Sequence, residues 1–440
     1  MSQLIADIAS WIWAGPMFFL LVGTHLFLTF RLRFPQRHIF RAIKMSVQSD
    51  KGADGDVSQF GALSTALAAT IGTGNIIGVA TAVMLGGPGA VFWCWLIAIF
   101  GIATKYAECL LAVKYRVQTT DGTMLGGPMY AIERGMGKKW MAVLFSLFCV
   151  IATFGIGDMV QANAISGALI NSYNVNPVTS SIVLTLMLAL VLLGGVKFIS
   201  KVCTVLTPLM ALFYVGGCVV LLWQNADYIW PAIQQIVTSA FTTSSVGGGL
   251  AGGSVILAMR YGVARGLFSN ESGLGSAPIV AAAAQTSNPV RQALVSSTGT
   301  FWDTVVICAI TGVTLVSTCL HHPEIAAIAD GNTLTSVAFG TMGSLGDDVL
   351  AISVIVFAYS TMLGWSYYGE RCAEYLGGKR CIMPFRVVFI AVSVIGCLSQ
   401  LHLVWNLSDL FNALMAIPNL ICLIVLSGVI AAETRTHGYL

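Results

Sequence analysis

Long apolar runs separated by short polar segments recur along the whole chain. Each is about 20 residues long, the length that an α-helix needs to cross the hydrocarbon core of a bilayer. Because a backbone in hydrocarbon must satisfy its own hydrogen bonds, such runs fold as membrane-spanning helices. We predict eleven spans, at residues 11–30, 59–84, 88–112, 140–169, 178–195, 203–223, 229–264, 290–318, 346–369, 384–401 and 405–432.

The composition agrees with an all-α polytopic membrane protein. The 440-residue chain is 56% hydrophobic and 9% charged, with a mean hydropathy of +0.83. A soluble domain would have about a quarter of its residues charged, so that class is excluded. The 11 cysteines form no CxxC pair and most lie inside apolar runs. We expect them to be small buried hydrophobic residues rather than disulfides or metal ligands.

The basic residues indicate the orientation of the spans. All 22 Lys and Arg fall in alternate loops or at their edges. Since Lys and Arg are enriched in cytoplasmic loops, we predict an N-terminus outside and a C-terminus in the cytoplasm. The expected location is the plasma (inner) membrane of a prokaryote, with the chain crossing it many times.

Ten spans remain when the first is set aside, and they divide into two sets of five with opposite orientation. Each set begins with an interrupted span: GTGN at residues 72–75 and a Thr/Ser/Gly run at residues 242–249. Interrupted segments at corresponding positions of inverted halves point to a binding site near the bilayer midplane. We predict an N-terminal helix with a cytoplasmic linker, two inverted five-helix repeats with discontinuous first and sixth core helices, and a cytoplasmic tail, at residues 1–57, 58–224, 225–434 and 435–440.

The first interruption carries the chemical argument. Two glycines and a hydroxyl beside an Asn make a poor helix interior. Each backbone N–H or C=O that such a break frees costs several kcal/mol in hydrocarbon unless protein, water or a ligand satisfies it. Freed amides suit a carboxylate, and freed carbonyls suit a small cation. The break therefore favours a cation-coupled carrier of a small zwitterion.

Several longer motifs carry a specific resemblance. They are GALSTALAATIGTGNIIGVATAV, followed by GGPGA, and then GGPMY and RGLFSNESGLGSAP. With them, the chain resembles the alanine or glycine:cation symporter family, which comprises sodium:alanine symporters with the fold of the leucine transporter. The resemblance extends over about residues 15–430. It implies sodium-driven uptake of alanine, glycine or a similarly small amino acid; a proton-coupled symporter of the same fold is the alternative.

Candidate substrate ligands lie on four spans. At the first break, Thr73, Gly74 and Asn75 would present backbone N–H groups to a carboxylate, although Gly74 and Gly78 also have the spacing at which small residues let helices pack. The resemblance points to Gln161 as a partner of the substrate's polar groups. Further residues expected around the substrate are Gly248, which would complete the pocket from the second break, and Trp365, which would limit substrate size or else anchor its helix at the bilayer interface.

The resemblance also implies a sodium site. Sodium prefers oxygen ligands, which carbonyls and hydroxyls supply. The expected ligands are the carbonyls of Ala68, Ile71 and Phe357 and the hydroxyls of Ser360 and Thr361. Ser and Thr hydroxyls also bond back to their own helix, which is the alternative reading of this pair.

Acidic residues within the spans are candidates for function by default. Asp158 lies three residues before Gln161 and is predicted to share its helix face, as a structural acceptor, a sodium ligand or a proton carrier. Asp303 and Glu108 are expected to pair with nearby basic residues. A second possible break at residues 268–276 is expected just inside the cytoplasmic face, as a gate or packing motif in which Glu271 could pair with Arg265.

Two other classes of protein fit the sequence poorly. An intramembrane enzyme needs a nucleophile–base pair or a metal cluster, and the six histidines lie mainly at span ends without paired spacing. A channel is usually built around an oligomer axis, whereas interrupted helices in inverted halves suit a carrier. We therefore expect no prosthetic group, and as partners the amino acid, sodium as the co-transported ion and the lipid bilayer, but no nucleic acid.

Overall fold

The computed structural model describes residues 7–8, 11–13, 15–48, 50, 53–242, 255–328, 331, 333–399 and 402–437. The described chain is mostly helical, as the apolar runs predict. Its only described strands, Val117–Gln118 and Met124–Leu125, form one short antiparallel hairpin. The main helices are α1 (Pro16–Arg31), α2 (Ile39–Ser46), α3 (Gln59–Thr70), α4 (Val79–Gly86), α5 (Gly89–Lys114), α6 (Lys139–Phe154), α7 (Val160–Tyr173), α8 (Pro177–Leu193), α9 (Gly195–Gln224), α10 (Ala226–Ser239), α11 (Val255–Asn270), α12 (Pro278–Ala281), α13 (Pro289–Thr300), α14 (Ala309–His321), α15 (Pro323–Ile328), α16 (Leu334–Gly340), α17 (Ser344–Gly377), α18 (Ile382–Leu398), α19 (His402–Val425) and α20 (Ser427–Thr436).

Short turns of wider or tighter helix join several of these segments. The π-helical turns are Gly74–Gly78, Ala131–Gly135, Gly155–Met159 and Phe301–Cys308, and the 3₁₀ turns are Pro35–His38 and Lys379–Cys381. A short turn, Pro128–Tyr130, precedes the second π-helical turn. Because π-helical turns are frequent at functional sites, those at residues 74–78 and 155–159 indicate where such a site could lie.

The structure confirms a polytopic helical membrane protein. Among the described residues, eight helices are long and apolar enough to cross a membrane, or nine when a bent pair is counted as one span. A shorter apolar helix, Pro177–Leu193, matches the predicted span 178–195. The full count of eleven spans and the inverted repeat stay predictions.

Helix α5 is the most deeply buried of the long apolar helices described. In its most apolar stretch, 83% of the residues are buried. Small residues allow α11 to pack closely against it. A Cβ at Gly262 would lie 2.2 Å from the Ala90 carbonyl oxygen, and one at Gly266 would lie 2.7 Å from Ile97 Cγ2. This is the close approach that small residues four apart give to membrane helices.

The described cysteines are free, and all except the partly exposed Cys381 are buried. This confirms the expectation that they act as small hydrophobic residues. Sequence position was sufficient to predict their burial, because a cysteine in an apolar helix behaves as a small hydrophobic residue.

The predicted span 229–264 is wrong in its position. The described parts of this region form α10 (Ala226–Ser239) and α11 (Val255–Asn270), so the second helix continues well beyond residue 264. The error arose because Arg260 and Arg265 were counted as loop residues. Both lie within α11, and Arg265 Cδ lies 3.8 Å from the Cβ position of Gly78, inside the bundle.

The segments that lead into α3 and out of α12 are joined by backbone pairing. Val57 and Ala284 form a parallel bridge, in which Asp56 N donates to Ala283 O at 2.8 Å and Gln285 N donates to Val57 O at 2.8 Å. Arg116 reinforces the junction by donating to the Ala284 carbonyl at 2.8 Å. The ends of the two interrupted helices are therefore held together as one unit.

Candidate functional site

The first predicted break is confirmed. Helix α3 ends at Thr70, and the helical segment Gly74–Gly86 continues at an angle of 55° to it. The turn is closed by two hydrogen bonds: Gly72 N donates to Asn75 Oδ1 at 2.9 Å and Asn75 N donates to Gly72 O at 3.1 Å. Thr73 and Gly74 then begin the second helical half, where the first turn leaves N–H groups without intrahelical acceptors.

A second break lies at residues 271–277, between α11 and α12. Glu271, Gly273 and Gly275 have φ values of 54°, 94° and 86°. Residues in this left-handed region end a right-handed helix, and two of the three are glycines, which adopt it without strain. Glu271 of this stretch lines one cavity together with the first break, so the stretch contributes to the site as well as to packing, and its position just inside the cytoplasmic face stays a prediction.

The cavity has a volume of about 30 Å³. At about 10–15 Å³ of such volume per water, it holds about two or three water molecules, which suits only a small ligand. Both breaks contribute to its wall, together with helices α7, α17 and α19. The lining residues are Ala69, Thr70, Gly72, Thr73, Gly74, Ile156, Gln161, Phe268, Ser269, Glu271, Thr361, Trp365 and Asn412.

Four of the predicted substrate ligands line this cavity: Thr73, Gly74, Gln161 and Trp365. Thr73 and Gln161 also meet directly, because Thr73 Oγ1 lies 3.5 Å from Gln161 Oε1. The Gln161 amide is fixed from the other side by donating to the Ile156 carbonyl at 3.1 Å. Gly248, the fifth candidate, lies outside the described residues.

Asn75 does not line the cavity, so its predicted contact with the substrate is corrected. Its side chain is fully buried and its donors and acceptor are used within the protein. Besides accepting from Gly72 N, it donates through Nδ2 to Asp303 Oδ1 at 2.8 Å. Asn75 therefore holds the shape of the break, and it does so because an amide can both donate and accept.

Asp303 connects the two interrupted helices. Its carboxylate accepts from Asn75 Nδ2, next to the first break, and from Ser269 Oγ at 2.8 Å, just before the second. Thr304 Oγ1 adds a third hydrogen bond at 2.6 Å. The expected ion pair of Asp303 with a basic residue is therefore wrong within the described part of the chain.

Glu108 holds the second break in shape. Its Oε1 accepts from Gly273 N and Gly275 N at 3.0 Å each, and from Asn419 Nδ2 at 2.6 Å. Two backbone amides and the Asn419 side chain, not the predicted basic residue, bond to Oε1, while Oε2 has no hydrogen-bond partner among the residues described. Sequence reasoning could not pair it with Gly273, because 165 residues separate the two.

Trp365 is a cavity residue and not an interface anchor. It is 2% exposed, and its Nε1 donates to Glu271 Oε1 at 3.0 Å. Gly157 packs directly behind it, since a Cβ there would lie 2.4 Å from Trp365 Cβ. The ring is thus fixed on two sides.

Glu271 bonds to Trp365 and to the Ser276 hydroxyl, so its predicted pairing with Arg265 is wrong.

Asp158 lies apart from the cavity, although Gln161 lines it. The π-helical turn Gly155–Met159 contains Asp158, and the wider turn changes the spacing on which the shared helix face was predicted. Asp158 is fully buried, and neither carboxylate oxygen has a hydrogen-bond partner among the described residues. Its three proposed roles stay open.

The residues proposed for sodium come together beside the first break. Ser360 Oγ donates to Ala68 O at 3.2 Å and to Phe357 O at 2.8 Å, and Thr361 Oγ1 donates to Phe357 O at 3.0 Å. Ile71 directly follows α3 in the broken segment and is 1% exposed. Carbonyl and hydroxyl oxygens in this arrangement fit the hard-ligand preference of sodium.

Glycines allow this close approach of α3 and α17. A Cβ at Gly72 would lie 2.6 Å from Thr361 Oγ1, and one at Gly364 would lie 2.6 Å from Ala69 Cβ. The hydroxyls of Ser360 and Thr361 also donate to the Phe357 carbonyl of their own helix, as the alternative interpretation predicted. The contact with Ala68 shows that Ser360 nevertheless reaches the broken helix.

Sequence reasoning missed four polar residues of the cavity: Thr70, Ser269, Glu271 and Asn412. Glu271 lies in the short polar run Ser269–Ser272 beside Gly273 and Gly275, which was a usable signal, but it was set aside when Arg260 and Arg265 were counted as cytoplasmic. Asn412 stands in the apolar run of α19 and gave only a weak signal. It is 1% exposed, and its Oδ1 has no hydrogen-bond partner among the described residues.

Comparison with known proteins agrees with this geometry. The sequence model of the sodium:alanine symporter family matches residues 1–439. The chain is 48% identical to the sodium/alanine symporter AgcS of Methanococcus maripaludis, over 99% of this chain and 97% of that protein. It is 36% identical to the probable sodium/glutamine symporter GlnT of Bacillus subtilis, over 97% of this chain and 88% of that protein.

Among solved structures, the fold is similar to that of MhsT in complex with L-phenylalanine. The TM-score is 0.59 at 13% identity, and the match covers 88% of this chain and all of that one. At this identity the likeness shows the fold alone, which is of the leucine-transporter type. With its relatives, the protein is a transporter and not an enzyme. The chain belongs to the sodium:alanine symporter family.

Proposed function

We propose that the protein imports alanine or glycine together with sodium by alternating access. The observation that carries the proposal is the cavity of about 30 Å³ where two helix breaks meet, closed on one side by Trp365. A glutamine side chain would require a much larger change in the wall than the methyl group of alanine. Of the substrates named for the two relatives, the cavity therefore favours alanine.

Each part of the cavity has a role in this proposal. The N–H groups at Thr73 and Gly74 bind the substrate carboxylate, and Gln161 adds a polar contact. The carbonyls of Ala68, Ile71 and Phe357 and the hydroxyls of Ser360 and Thr361 bind sodium. Since both ligands use the first break, each favours the same conformation of it, and that shared preference couples their transport.

A second cavity supports a route to one side of the membrane. It has a volume of about 530 Å³ and is lined by polar residues that include Asn163, Asn171 and Asp347. Ile76, on the outer half of the first broken helix, lies at its wall, and Thr335 Oγ1 donates to the Ile76 carbonyl at 3.2 Å. In the predicted orientation this cavity opens to the outside, and Ile76 separates it from the first break.

Uptake into proteoliposomes tests the function. We expect labelled alanine to accumulate when sodium is directed inward and not when choline replaces sodium. An excess of internal unlabelled alanine should accelerate exchange, which a carrier shows and a channel does not. Uptake that is equal in sodium and choline would contradict the proposed coupling.

One observation favours proton coupling as a second candidate. Asp158 is buried without a hydrogen-bond partner among the described residues, and a buried carboxyl is most easily kept as its neutral, protonated form. Asp158→Asn mimics that form. Under sodium coupling the variant should keep sodium-driven uptake, whereas under proton coupling it should lose uptake driven by an acid-outside pH gradient.

A further inference from the structure

A charged cavity lies at one end of the bundle and shares no lining residue with the cavity at the helix breaks. It has a volume of about 280 Å³ and is formed by the turn between α8 and α9, the junction of α17 and α18, Asp56 and the turn of the strand hairpin. At about 10–15 Å³ per water, it holds roughly 20 water molecules or more. Each of these segments belongs to a loop that the basic residues place in the cytoplasm, so in the predicted orientation the cavity lies at that membrane surface.

The acidic side chains of this cavity are engaged within the protein. Three ion pairs use most of them: Glu370 with Arg386, Glu374 with Arg371, and Asp121 with Lys379. The first pair is bidentate, since Arg386 Nε and Nη2 donate to the two Glu370 oxygens at 2.7 and 3.0 Å. The fourth acid, Asp56, accepts from Met124 N at 2.9 Å. The four acids therefore do not exclude an anion from the cavity.

Two basic residues of the same wall keep free donors. Lys197 is exposed and forms no ion pair with an acid of the described chain. Arg371 is 7% exposed, and its Nε has no hydrogen-bond partner among the described residues, although its Nη1 is paired with Glu374. A buried guanidinium N–H without an acceptor costs free energy, so it indicates a ligand that carries acceptor oxygens.

The first turn of α9 adds a further feature that favours an anion. This 30-residue helix begins at Gly195, and Gly194, Val196 and Lys197 line the cavity. The first N–H groups of a helix have no intrahelical acceptor and form the positive end of its dipole, which suits phosphate. Arg386 lies close to this turn, because a Cβ at Gly195 would be 3.4 Å from its Nη2. The helix end and the basic side chains thus meet at one place.

Exposed apolar side chains flank the cavity and indicate the source of the anion. Leu193, Phe198, Met383 and Val387 are each exposed, and each directly neighbours a cavity-lining residue in the chain. A free phosphate would make no contact with such side chains at a membrane surface. A phospholipid would place its phosphate in the basic cavity and its acyl chains beside them.

We infer that this cavity binds the phosphate of a phospholipid headgroup from the cytoplasmic leaflet. The first turn of α9 and the side chains of Lys197 and Arg371 bind the phosphate oxygens. The bound lipid joins the turn between α8 and α9 to the junction of α17 and α18. It therefore stabilises the cytoplasmic end of α17, the helix that also carries Ser360 and Thr361. The inference does not depend on which amino acid or ion is transported.

Native mass spectrometry of the full-length protein, released from detergent, tests the site. The probes are dioleoyl phosphatidylglycerol, dioleoylglycerol, which lacks the phosphate, and glycerol 3-phosphate, which lacks the acyl chains. We expect phosphatidylglycerol to bind with an apparent Kd at least about tenfold lower than that of either other probe. Lys197→Gln should raise this Kd about fivefold, as expected for one basic residue near a lipid phosphate. Arg371→Lys keeps a charge beside Glu374 but removes Nε, and it should raise the Kd as well.

Lys138→Gln provides the matched control. Lys138 is also exposed, lies in a predicted cytoplasmic loop and forms no ion pair with a described acid, but it is not part of the cavity. Its substitution should change the Kd less than about twofold. Equal weakening by Lys138→Gln and Lys197→Gln would overturn the inference, because it would show only a general attraction between basic loops and an anionic lipid.

The other two probes give further ways for the inference to fail. Glycerol 3-phosphate that binds as tightly as phosphatidylglycerol would show a site for a soluble phosphate instead of a lipid. Dioleoylglycerol that binds as tightly would show an apolar surface without phosphate recognition. Should Arg371→Lys not fold, Lys197→Gln, at an exposed position, and the comparison of the three probes carry the test.

Discussion

The Ser360 hydroxyl reaches across a helix interface and donates to the Ala68 carbonyl at 3.2 Å. Ala68 is within the last turn of α3 before the break, and Ser360 lies in the middle of α17, 292 residues later. The bond therefore joins the first half of an interrupted helix to a long continuous one. A sodium ion that bound both oxygens would strengthen the same junction, and this gives ion binding a direct influence on conformation.

Ser360→Ala should raise the sodium concentration needed for half-maximal alanine uptake by about tenfold, because it removes one oxygen ligand. Ser366→Ala is the matched control, since Ser366 lies on the same helix and bonds only to the Leu363 carbonyl among the described residues. Uptake as a function of sodium concentration measures the effect. An unchanged sodium dependence in Ser360→Ala would remove this hydroxyl from the site.

Gly157→Ala should strongly reduce alanine transport. The added Cβ would lie 2.4 Å from Trp365 Cβ and 2.7 Å from Cγ, so the ring must shift. A cavity of about 30 Å³ leaves little room for that movement. The KM for alanine should rise at least about tenfold. Gly216→Ala, on helix α9 with nothing within 4 Å of its Cβ position, should transport normally; equal effects of the two changes would contradict the argument.

Trp365→Ala should widen the range of substrates. Removing the buried ring leaves space for longer side chains and deletes the donor to Glu271. We expect leucine, which should not compete in the wild type, to inhibit labelled alanine uptake in the variant. The affinity for alanine itself should fall. Trp140→Ala, at a position 64% exposed, provides the control, and a substrate range that is the same in both variants would show that Trp365 does not limit size.

Glu108→Ala should lower stability more than Glu108→Gln. Alanine leaves the N–H groups of Gly273 and Gly275 without their acceptor, at a cost of about 1–3 kcal/mol for each buried group. Glutamine keeps an acceptor oxygen at that place. Thermal unfolding of the detergent-purified protein can be monitored by size-exclusion chromatography after heating. The unfolding temperature should decrease from wild type to Glu108→Gln and then to Glu108→Ala. A Glu108→Ala protein as stable as the wild type would show that the second break needs no acceptor.

The sequence alone determined the features that depend on local physics. Bilayer thickness fixes the length of apolar runs, and the need for backbone hydrogen bonds makes an interruption such as GTGN informative wherever it occurs. These two constraints predicted the helical membrane fold, the first break and the neighbourhood of Thr73 and Gly74. The family resemblance added Gln161 and the sodium ligands, helical spacing from Thr361 added Trp365, and the structure gathers them around that break.

Only the tertiary structure decided which polar residues face the cavity and which support it. Asn75 resembled a ligand in the sequence but bonds to Asp303, 228 residues away, while Glu271 resembled a cytoplasmic gate residue but lines the cavity. Hydropathy predicts at best the depth of a residue in the membrane. It does not predict which residue of another helix it contacts. Partners are set by how helices distant in sequence pack, and that packing assigned Glu108 to the second break and placed Asn412 in the wall of the cavity.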